Sequence, residues 1–438
     1  MTVSLVKFDG SLDSLRRAIE LCDGFGKLKR DDKVLIKPNN CFRHKITPPY
    51  GMVTTSRIVD GIIRLLLEYG CKDISIGEGA IIGIFDELEP YTKRGFKGSG
   101  IDKVAEKYGV KLIDFNQGPF QELYLGGIKA HVAKAALETD FLINVPVLKT
   151  HFQTKVSLGF KNVKGCLSSA SKKRFHTSSR LDSLICHLNE AIKSDLVIID
   201  GIYMLEKGPE TLAGVAHRKD LIIASTDIFE CDVVGATILG IDPSQVGYLR
   251  EFAQRHNRSF DISAIQIKGE DLESVKEQLE WQFEPDKELL TPAGVTGLLA
   301  PRPGQTLCSG CGATLALTLS ILGKDNPRRD FGGAELYYGL ELIADRDVRE
   351  VFLYGDCAIR RNKGLANATR IEGCPPTLTR TLVALMKVLL SRPRMVRMML
   401  LRLVKLIGIR LGIYHEVFPR WERYRSKEFD RTHFWLKN

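Results

Sequence analysis

Short apolar runs alternate with helical stretches along the first 270 residues. "KVLIKPN" (33–39) is an apolar run ending in polar residues, and "TTSRIVDGIIRLLLEYG" (54–70) follows with a capping hydroxyl, helical apolar spacing and a terminal glycine. The pattern repeats through "DISIGEG" (73–79), a helix over 101–109, "KLIDFN" (111–116) and "DFLINVPVLKTH" (140–151). Beyond these, "SRLDSLICHLNEAIKS" reads as a helix, "DLVIIDGIY" as a strand, and "KDLIIASTD" as a strand running into the helix "IFECDVVGATILG". This alternation predicts an α/β fold with a mostly parallel sheet and helices on both faces. From about Glu270 to Gln305 the pattern loosens around Pro285, Pro292, Pro301 and Pro303. The expected organisation is an α/β domain over 1–285, a linker over 286–306, a smaller cysteine-rich unit over 307–380, and a basic helix and tail over 381–438.

In a parallel sheet, polar residues that follow the strand C-termini line the crevice where ligands bind. Lys37, Asn39 and Asn40 follow the first strand of this series, Glu78 the next, and Lys149, Thr150 and His151 end "LINVPVLKTH". Asp200 closes "LVIID" and Asp227 closes "LIIASTD". Polar groups at nearly every strand end point to a built site, with the two aspartates as proton acceptors or ligands for a hard cation.

The hydrophobic share of 44% and charged share of 26% are those of a folded protein of 438 residues. The first residues, "MTVSLVKFDGSLDSL", lack a basic stretch followed by an apolar one, so the chain is expected in the cytoplasm. The formal charge of +10 is concentrated. Eight basic and no acidic residues lie between Cys374 and Glu416, the tail beyond adds two net charges, and residues 1–374 balance to zero. The main body therefore gives no reason to expect nucleic acid.

Ten cysteines are too few for a disulfide scaffold of this size. Six are scattered and read as small buried hydrophobes: Cys22, Cys41, Cys71, Cys166, Cys186 and Cys231. The other four are concentrated after the linker. "CSGCG" (308–312) carries the C-x-x-C pair Cys308 and Cys311, whose spacing lets two thiolates reach one metal from a single turn. Cys357 and Cys374 each follow a β-like run, "REVFLYGD" and "ATRIEG", and are expected at the ends of neighbouring strands. Four thiolates suit an iron–sulfur cluster or zinc. The wide spacing of the second pair and the two prolines after Cys374 favour a cluster of the 4Fe–4S type, with zinc as the alternative.

The second unusual stretch is "VLKTHFQTKVSLGFKNVKGCLSSASKKRFH" (147–176), rich in lysine and free of acids between Asp140 and Asp182. A solvated helix face would interleave acids, so this stretch is expected to bind an anion, a phosphate or carboxylate. Lys37, Asn39, Lys161, Asn162, Lys164 and Asp227 are the expected substrate-binding residues, and Lys149, His151 and Asp200 the expected catalytic ones. Neither G-x-x-x-x-G-K-[ST] nor G-x-G-x-x-G occurs at a strand-to-helix junction, which argues against a standard nucleotide site.

"VLIKPN", "INVPVLKTH", "VSLGFKNVKGC", "IIDGI", "KGPE" (207–210) and "IIASTD" occur in the order found in the bacterial and archaeal iron–sulfur proteins called domain of unknown function 362. The chain resembles that family over most of residues 30–270. Many members carry a ferredoxin-like module with two clusters; this chain lacks the C-x2-C-x2-C-x3-C-P run and is similar to a variant with C-x-x-C, a distant "GDC" and "GCPP". The resemblance implies one cluster rather than a two-cluster relay, and supports fold and cluster better than any particular reaction.

"RPRMVRMMLLRLVKLIGIRLGIYH" (392–415) mixes large apolar residues with Arg394, Arg397, Arg402 and Lys405, an amphipathic pattern too interrupted by charge to span a bilayer. It is expected to lie on an anionic membrane surface, placing the protein on the inner membrane face, to dock on a partner protein, or to pack on its own domain. Tail aromatics Trp421, Tyr424, Phe429, Phe434 and Trp435 favour an interface. The reading of the whole chain is an iron–sulfur oxidoreductase that acts on an anionic small molecule with electrons from an external donor. Its rivals are a non-enzymatic electron-transfer or cluster-assembly partner and a zinc-stabilised enzyme without redox chemistry.

Overall fold

The computed structural model describes residues 1–40, 48–80, 91–178, 180–301, 306–340, 343–344, 348, 350–410 and 419–429. Cys41, Phe434, Trp435 and residues 411–415 of the basic segment lie outside these.

A ten-stranded sheet is built around apolar runs such as Lys33–Pro38, Phe141–Val145 and the first half of Leu196–Glu206, in which nearly every position is buried. Its members are β1 (Thr2–Lys7), β2 (Lys33–Pro38), β3 (Asp73–Glu78) and β4 (Lys111–Asp114), then, after a separate hairpin of β5 (Phe120–Leu125) and β6 (Ile128–Ala133), β7 (Phe141–Val145), β8 (Val147–His151), β9 (Lys155–Val156), β10 (Leu196–Glu206), β11 (Val215–Ser225) and β12 (Gln266–Gly269). The spatial order is β12-β1-β11-β10-β7-β2-β3-β4, with β8 beside β10 and β9 beside β8. The pairs from β10 through β7, β2 and β3 to β4 are parallel. β11 runs antiparallel to both β10 and β1. The fold is thus mixed α/β with a mostly parallel central sheet flanked by helices.

Each face is covered, which is why the central parallel strands are largely buried. Val34 and Ile36 of β2 enter one apolar cluster with the helix Ser56–Tyr69, while Leu35 enters a second with the helices Leu181–Ala191 and Ile228–Ile238. Thr55 caps the first of these helices and Gly70, at φ +104°, ends it in the left-handed conformation that glycine tolerates best.

A second, four-stranded parallel sheet has the order β13 (Thr296–Leu299), β14 (Asp330–Tyr338), β15 (Glu350–Tyr354), β16 (Ala368–Ile371). Residues 286–306, read from sequence as a linker, contain β13 and most of the short helix Pro285–Leu289. Pro285 and Pro292 begin short helical turns there rather than mark an unstructured connection. Leu315, Leu336 and Phe352 of this unit join the same apolar cluster as Val34 and Ile36.

The tail aromatics turn inward. Trp421 Nε1 donates to Thr211 O at 3.2 Å, Tyr50 Oη donates to Phe429 O at 2.8 Å, and the Tyr424 hydroxyl accepts from Ala216 N–H at 2.9 Å. Tyr50, Tyr203, Tyr424 and Phe429 form one packed aromatic group. Of the tail aromatics read as an interface, these three therefore bind the last described residues to the α/β domain.

Candidate functional site

The C-terminal ends of β2, β3 and β8 open onto one cavity of about 120 Å³, where a single water needs about 10–15 Å³. Six lysines line it, Lys37, Lys149, Lys161, Lys164, Lys172 and Lys173, against one carboxylate, Glu78. The opposite wall is made by Cys308, Ser309, Gly310, Cys374 and Pro375. The lysine-rich stretch and the cysteine unit, far apart in sequence, thus share a cavity.

The floor is an amide and ion-pair network. Lys37 Nζ donates to Glu78 Oε2 and Pro38 O, both at 2.9 Å, and to Asn162 Oδ1 at 3.3 Å. Glu78 also accepts from Asn40 N–H at 2.9 Å and Gly79 N–H at 2.7 Å. The pair is almost fully buried, and such a pair survives only when its remaining hydrogen-bonding capacity is met, as here. Gly165 passes so close that a Cβ there would lie 2.6 Å from Lys37 Nζ. Asn39 Nδ2 donates to Asn162 Oδ1 at 3.3 Å and its own Oδ1 accepts from Lys149 Nζ at 2.7 Å. Asn162 in turn donates to Asn144 Oδ1 at 2.8 Å.

Lys161 and Asn162 ride on the short helix Gly159–Asn162. Its first N–H groups are anchored from outside the cavity. Asp232, buried on the helix Ile228–Ile238, accepts from Gly159 N–H at 2.7 Å and Phe160 N–H at 3.0 Å. Burial pushes the Asp232 carboxyl up to about 7 despite these two bonds. Burial likewise pushes the Lys172 ammonium down to about 7, with nearby Glu78 pulling the other way. Lys172 Nζ donates to Gly79 O at 2.7 Å and Asn116 Oδ1 at 3.0 Å.

Both histidines of the stretch are neutral, held well below the ordinary imidazole range by burial first and by neighbouring lysines second. The His151 tautomer follows from its partners. Gln153 N–H donates to Nδ1 at 2.9 Å, which places the ring proton on Nε2, 3.1 Å from Ser309 Oγ. His176 Nε2 accepts from Lys164 Nζ, so its proton sits on Nδ1, which is buried and has no partner among the described residues.

The cysteine wall is built by strand ends and one helix start. Cys308 caps the helix Ser309–Asp325 and Cys311 lies in its first turn, where the positive end of the helix dipole favours thiolates. Cys357 lies in the first turn of the helix Gly355–Arg361, which starts directly after β15, and Cys374 follows β16. β15 and β16 are parallel neighbours, Tyr354 opposite Ile371, so both cysteines leave the sheet at one edge. Asp356 N–H donates to Gly373 O at 3.1 Å and Asp356 Oδ1 accepts from Gly373 N–H at 2.8 Å, pinning the two loops together. Tyr354 Oη donates to Cys311 O at 3.2 Å and ties in the C-x-x-C turn.

The four thiols are electrostatic neighbours. A hydrogen bond with the Cys311 thiol pulls Cys308 down to about 6, and Cys311 is raised by that bond, by burial and by the charges of Cys308, Cys374 and Cys357. Burial raises Cys357 and Cys374, each also close to Cys308. Cations face them: Lys164 acts on Cys308, Lys173 on Cys374, and Arg360 lies 3.6 Å from Cys357 Sγ. Among the described residues, no three His, Cys, Asp or Glu side chains are placed to hold a single metal ion, whose bonds to thiolate are about 2.3 Å.

Of the residues expected from sequence, Lys37, Asn39, Lys149, His151, Lys161, Asn162, Lys164, Cys308 and Cys374 line the cavity. Asp200 and Asp227 do not. β10 continues six residues past Asp200 and reaches Glu206, which leaves Asp200 in mid-strand with its carboxylate accepting Thr55 N–H at 2.7 Å and Ile202 N–H at 3.1 Å. Asp227 follows β11, and because β11 is antiparallel its end emerges at the other edge of the sheet. There Asp227 caps the helix Ile228–Ile238 and pairs with Arg258 at 2.9 Å. Ser309, Lys172 and Glu78 also belong to the cavity; the sequence places Glu78 at a strand end and Lys172 within the lysine-rich stretch, but singles out none of the three as a catalytic or substrate-binding residue.

With this geometry in view, comparison with known proteins identifies the stretch that supplies the lysine wall. Residues 34–237 match the family model described as Domain of unknown function (DUF362). Those residues contain every cavity-lining group except Cys308, Ser309, Gly310, Cys374 and Pro375. A thylakoid-associated protein of Synechocystis sp. is 28% identical over 242 residues, which cover 54% of this chain and 72% of that protein. The lactate racemase apoprotein from Thermoanaerobacterium thermosaccharolyticum aligns at 14% identity and a TM-score of 0.31 over 53% of this chain; the alignment spans 56% of that chain, less than two thirds of it.

Proposed function

We propose that the protein is an iron–sulfur oxidoreductase that acts on a small anionic organic molecule with electrons from an external donor. The observation that carries this reading is the shared cavity, with six lysines on one side and Cys308 and Cys374 on the other. Cys308, Cys311, Cys357 and Cys374 would hold the cluster. The chemistry of the donor set supports one: four thiols act on one another electrostatically beside Lys164, Lys173 and Arg360, whose charges favour thiolates. Zinc fits this spacing less well. When bound, an iron–sulfur cluster supplies one-electron transfer.

The chain's own residues supply binding and proton placement. Lys149, Lys161 and Lys164 provide positive charge for the anion, and Asn39 fixes Lys149 at 2.7 Å. Low local dielectric in a buried cavity strengthens each such contact. Neutral His151 holds its proton on Nε2 toward Ser309 Oγ, and the Ser309 hydroxyl reaches the cavity, so the pair can deliver a proton to a bound substrate. Asp200 has no part in this step.

Iron, acid-labile sulfide and zinc are measured on protein purified without oxygen, with absorption spectra before and after dithionite. The expected result is about four irons and four sulfides per chain with a visible band that bleaches. A colourless protein with stoichiometric zinc overturns the reading.

A further inference from the structure

The helix Arg392–Arg410 has its apolar side turned outward. On its inner side Met395 and Met398 pack on the core, while Arg402 Nε and Lys405 Nζ hold Asp325 at 2.7 and 3.0 Å. On its outer side Val396, Met399, Leu400, Leu403 and Val404 follow the spacing of a complete apolar stripe, and each is between 44 and 67% exposed. Ordinary surface helices do the reverse, burying the stripe and exposing the charges. Five adjacent large apolar side chains in water mark an interaction surface.

The stripe is flanked by a second feature. Arg328, Arg329, Arg394 and Arg397 line a cavity of about 690 Å³ between this helix and the end of the helix Ser309–Asp325. Asp325 and Asp330 also border it, and Arg329 Nε is buried without a partner among the described residues. Arg392, Arg394 and Arg397 are exposed.

We propose that this face docks on an anionic lipid bilayer, with the stripe at the acyl boundary and the arginines around the cavity on lipid phosphates. Charge selects this occupant. Between Cys374 and Glu416 the chain has eight basic residues and no acidic one, so a second copy facing the first would set arginine against arginine. A bilayer satisfies both features at once, since arginine stems lie along apolar surface while their heads reach the phosphate level. The helix lies on the surface rather than crossing it, because no helix among the described residues is long and apolar enough to span a membrane. The docking is independent of the reaction in the lysine-lined cavity.

The test is flotation of the full chain with vesicles of phosphatidylcholine alone or mixed with phosphatidylglycerol. Wild type is expected to float with the mixed vesicles only, and less so as salt is raised. Leu400→Asp combined with Leu403→Asp abolishes flotation, and Arg394→Glu combined with Arg397→Glu weakens binding by about an order of magnitude. Both variants keep the wild-type unfolding midpoint, since the replaced side chains face solvent. Wild type that stays with free protein, equal binding to both vesicles, or leucine variants that float normally would each overturn the proposal. So would a wild-type dimer that the leucine variants convert to monomer without any vesicle binding, which would make the face a contact between two copies.

Discussion

His151 Nε2 and Ser309 Oγ meet across 3.1 Å, joining the end of β8 to the C-x-x-C turn of the second unit. The contact is buried, so Ser309→Ala leaves an imidazole N–H without its acceptor. The expected cost is about 1–3 kcal/mol of stability by urea denaturation. If the pair handles a proton, Ser309→Ala also lowers turnover while leaving iron content unchanged, and Ser309→Thr restores it. Iron loss in Ser309→Ala would make the serine a support of the cysteine turn instead.

The Lys37 and Glu78 side chains are 1 and 4% exposed and 2.9 Å apart. Glu78→Gln strands a buried ammonium ion. We expect a loss of about 3–5 kcal/mol, measured by chemical denaturation, and recovery of much of it in the double variant Lys37→Met, Glu78→Gln. A loss below the cost of a neutral hydrogen bond would mean that the ion pair is not formed.

Lys172 gives the cavity a titration near neutrality. Its ordinary value of 10.5 is lowered to about 7 by burial, with Lys37 and Lys164 adding to the fall and Glu78 and Cys166 opposing it. A bound anion favours the charged form, so above pH 7 anion binding should draw a proton onto Lys172. Calorimetry of sulfate binding at pH 8 in buffers of different ionisation heat should therefore show proton uptake, absent in Lys172→Met. Apparent sulfate affinity should fall as pH rises through about 7. A binding heat that does not depend on the buffer would rule this out.

Asp232 makes a separate pH signature, in stability. Its folded value of about 7 lies above the ordinary 3.8, so the native state holds a proton that the unfolded chain gives up. Its contribution is full below about pH 3.8 and is lost as pH rises through about 7. Asp232→Asn removes that slope. It also turns an amide N–H toward a backbone donor, since Gly159 and Phe160 each donate to one carboxylate oxygen. Urea midpoints at pH 5 and pH 8 should differ less in the variant than in wild type, with both lower by about 1–3 kcal/mol of stability. Loss of anion affinity in the same variant would show that Asp232 positions Lys161, as its anchoring of the helix Gly159–Asn162 predicts.

The alternation of apolar runs and helical patterns was sufficient for the α/β class because buried parallel strands need continuous apolar sequence, and this chain supplies it at "KVLIKP", "FLINV" and "LVIID". The lysine stretch and the positions of Lys37, Asn39 and Lys149 were legible for a related reason: parallel strands all end at one edge, so polar residues just after them are neighbours whatever their separation in sequence. That rule misled at Asp227. Nothing in "LIIASTD" says which way its strand runs, and a reversed strand delivers its end to the opposite edge. It misled at Asp200 because the strand, with a bulge between Gly201 and Tyr203, runs on to Glu206 and leaves Asp200 well short of its end.

Sequence by itself determined the local chemistry: the C-x-x-C turn, the two cysteines after β-runs, the acid-free lysine stretch and the acid-free basic segment. These depend only on residue type and short spacing. Tertiary structure decided what each faces. Ser309 reaches His151, 158 residues away, because the second unit packs its cysteine edge over the strand ends of the first. The helix Arg392–Arg410 turns its apolar stripe outward because Asp325 holds Arg402 and Lys405 on the inner side. Periodicity fixes that a helix has two faces; only its partners fix which one meets the solvent.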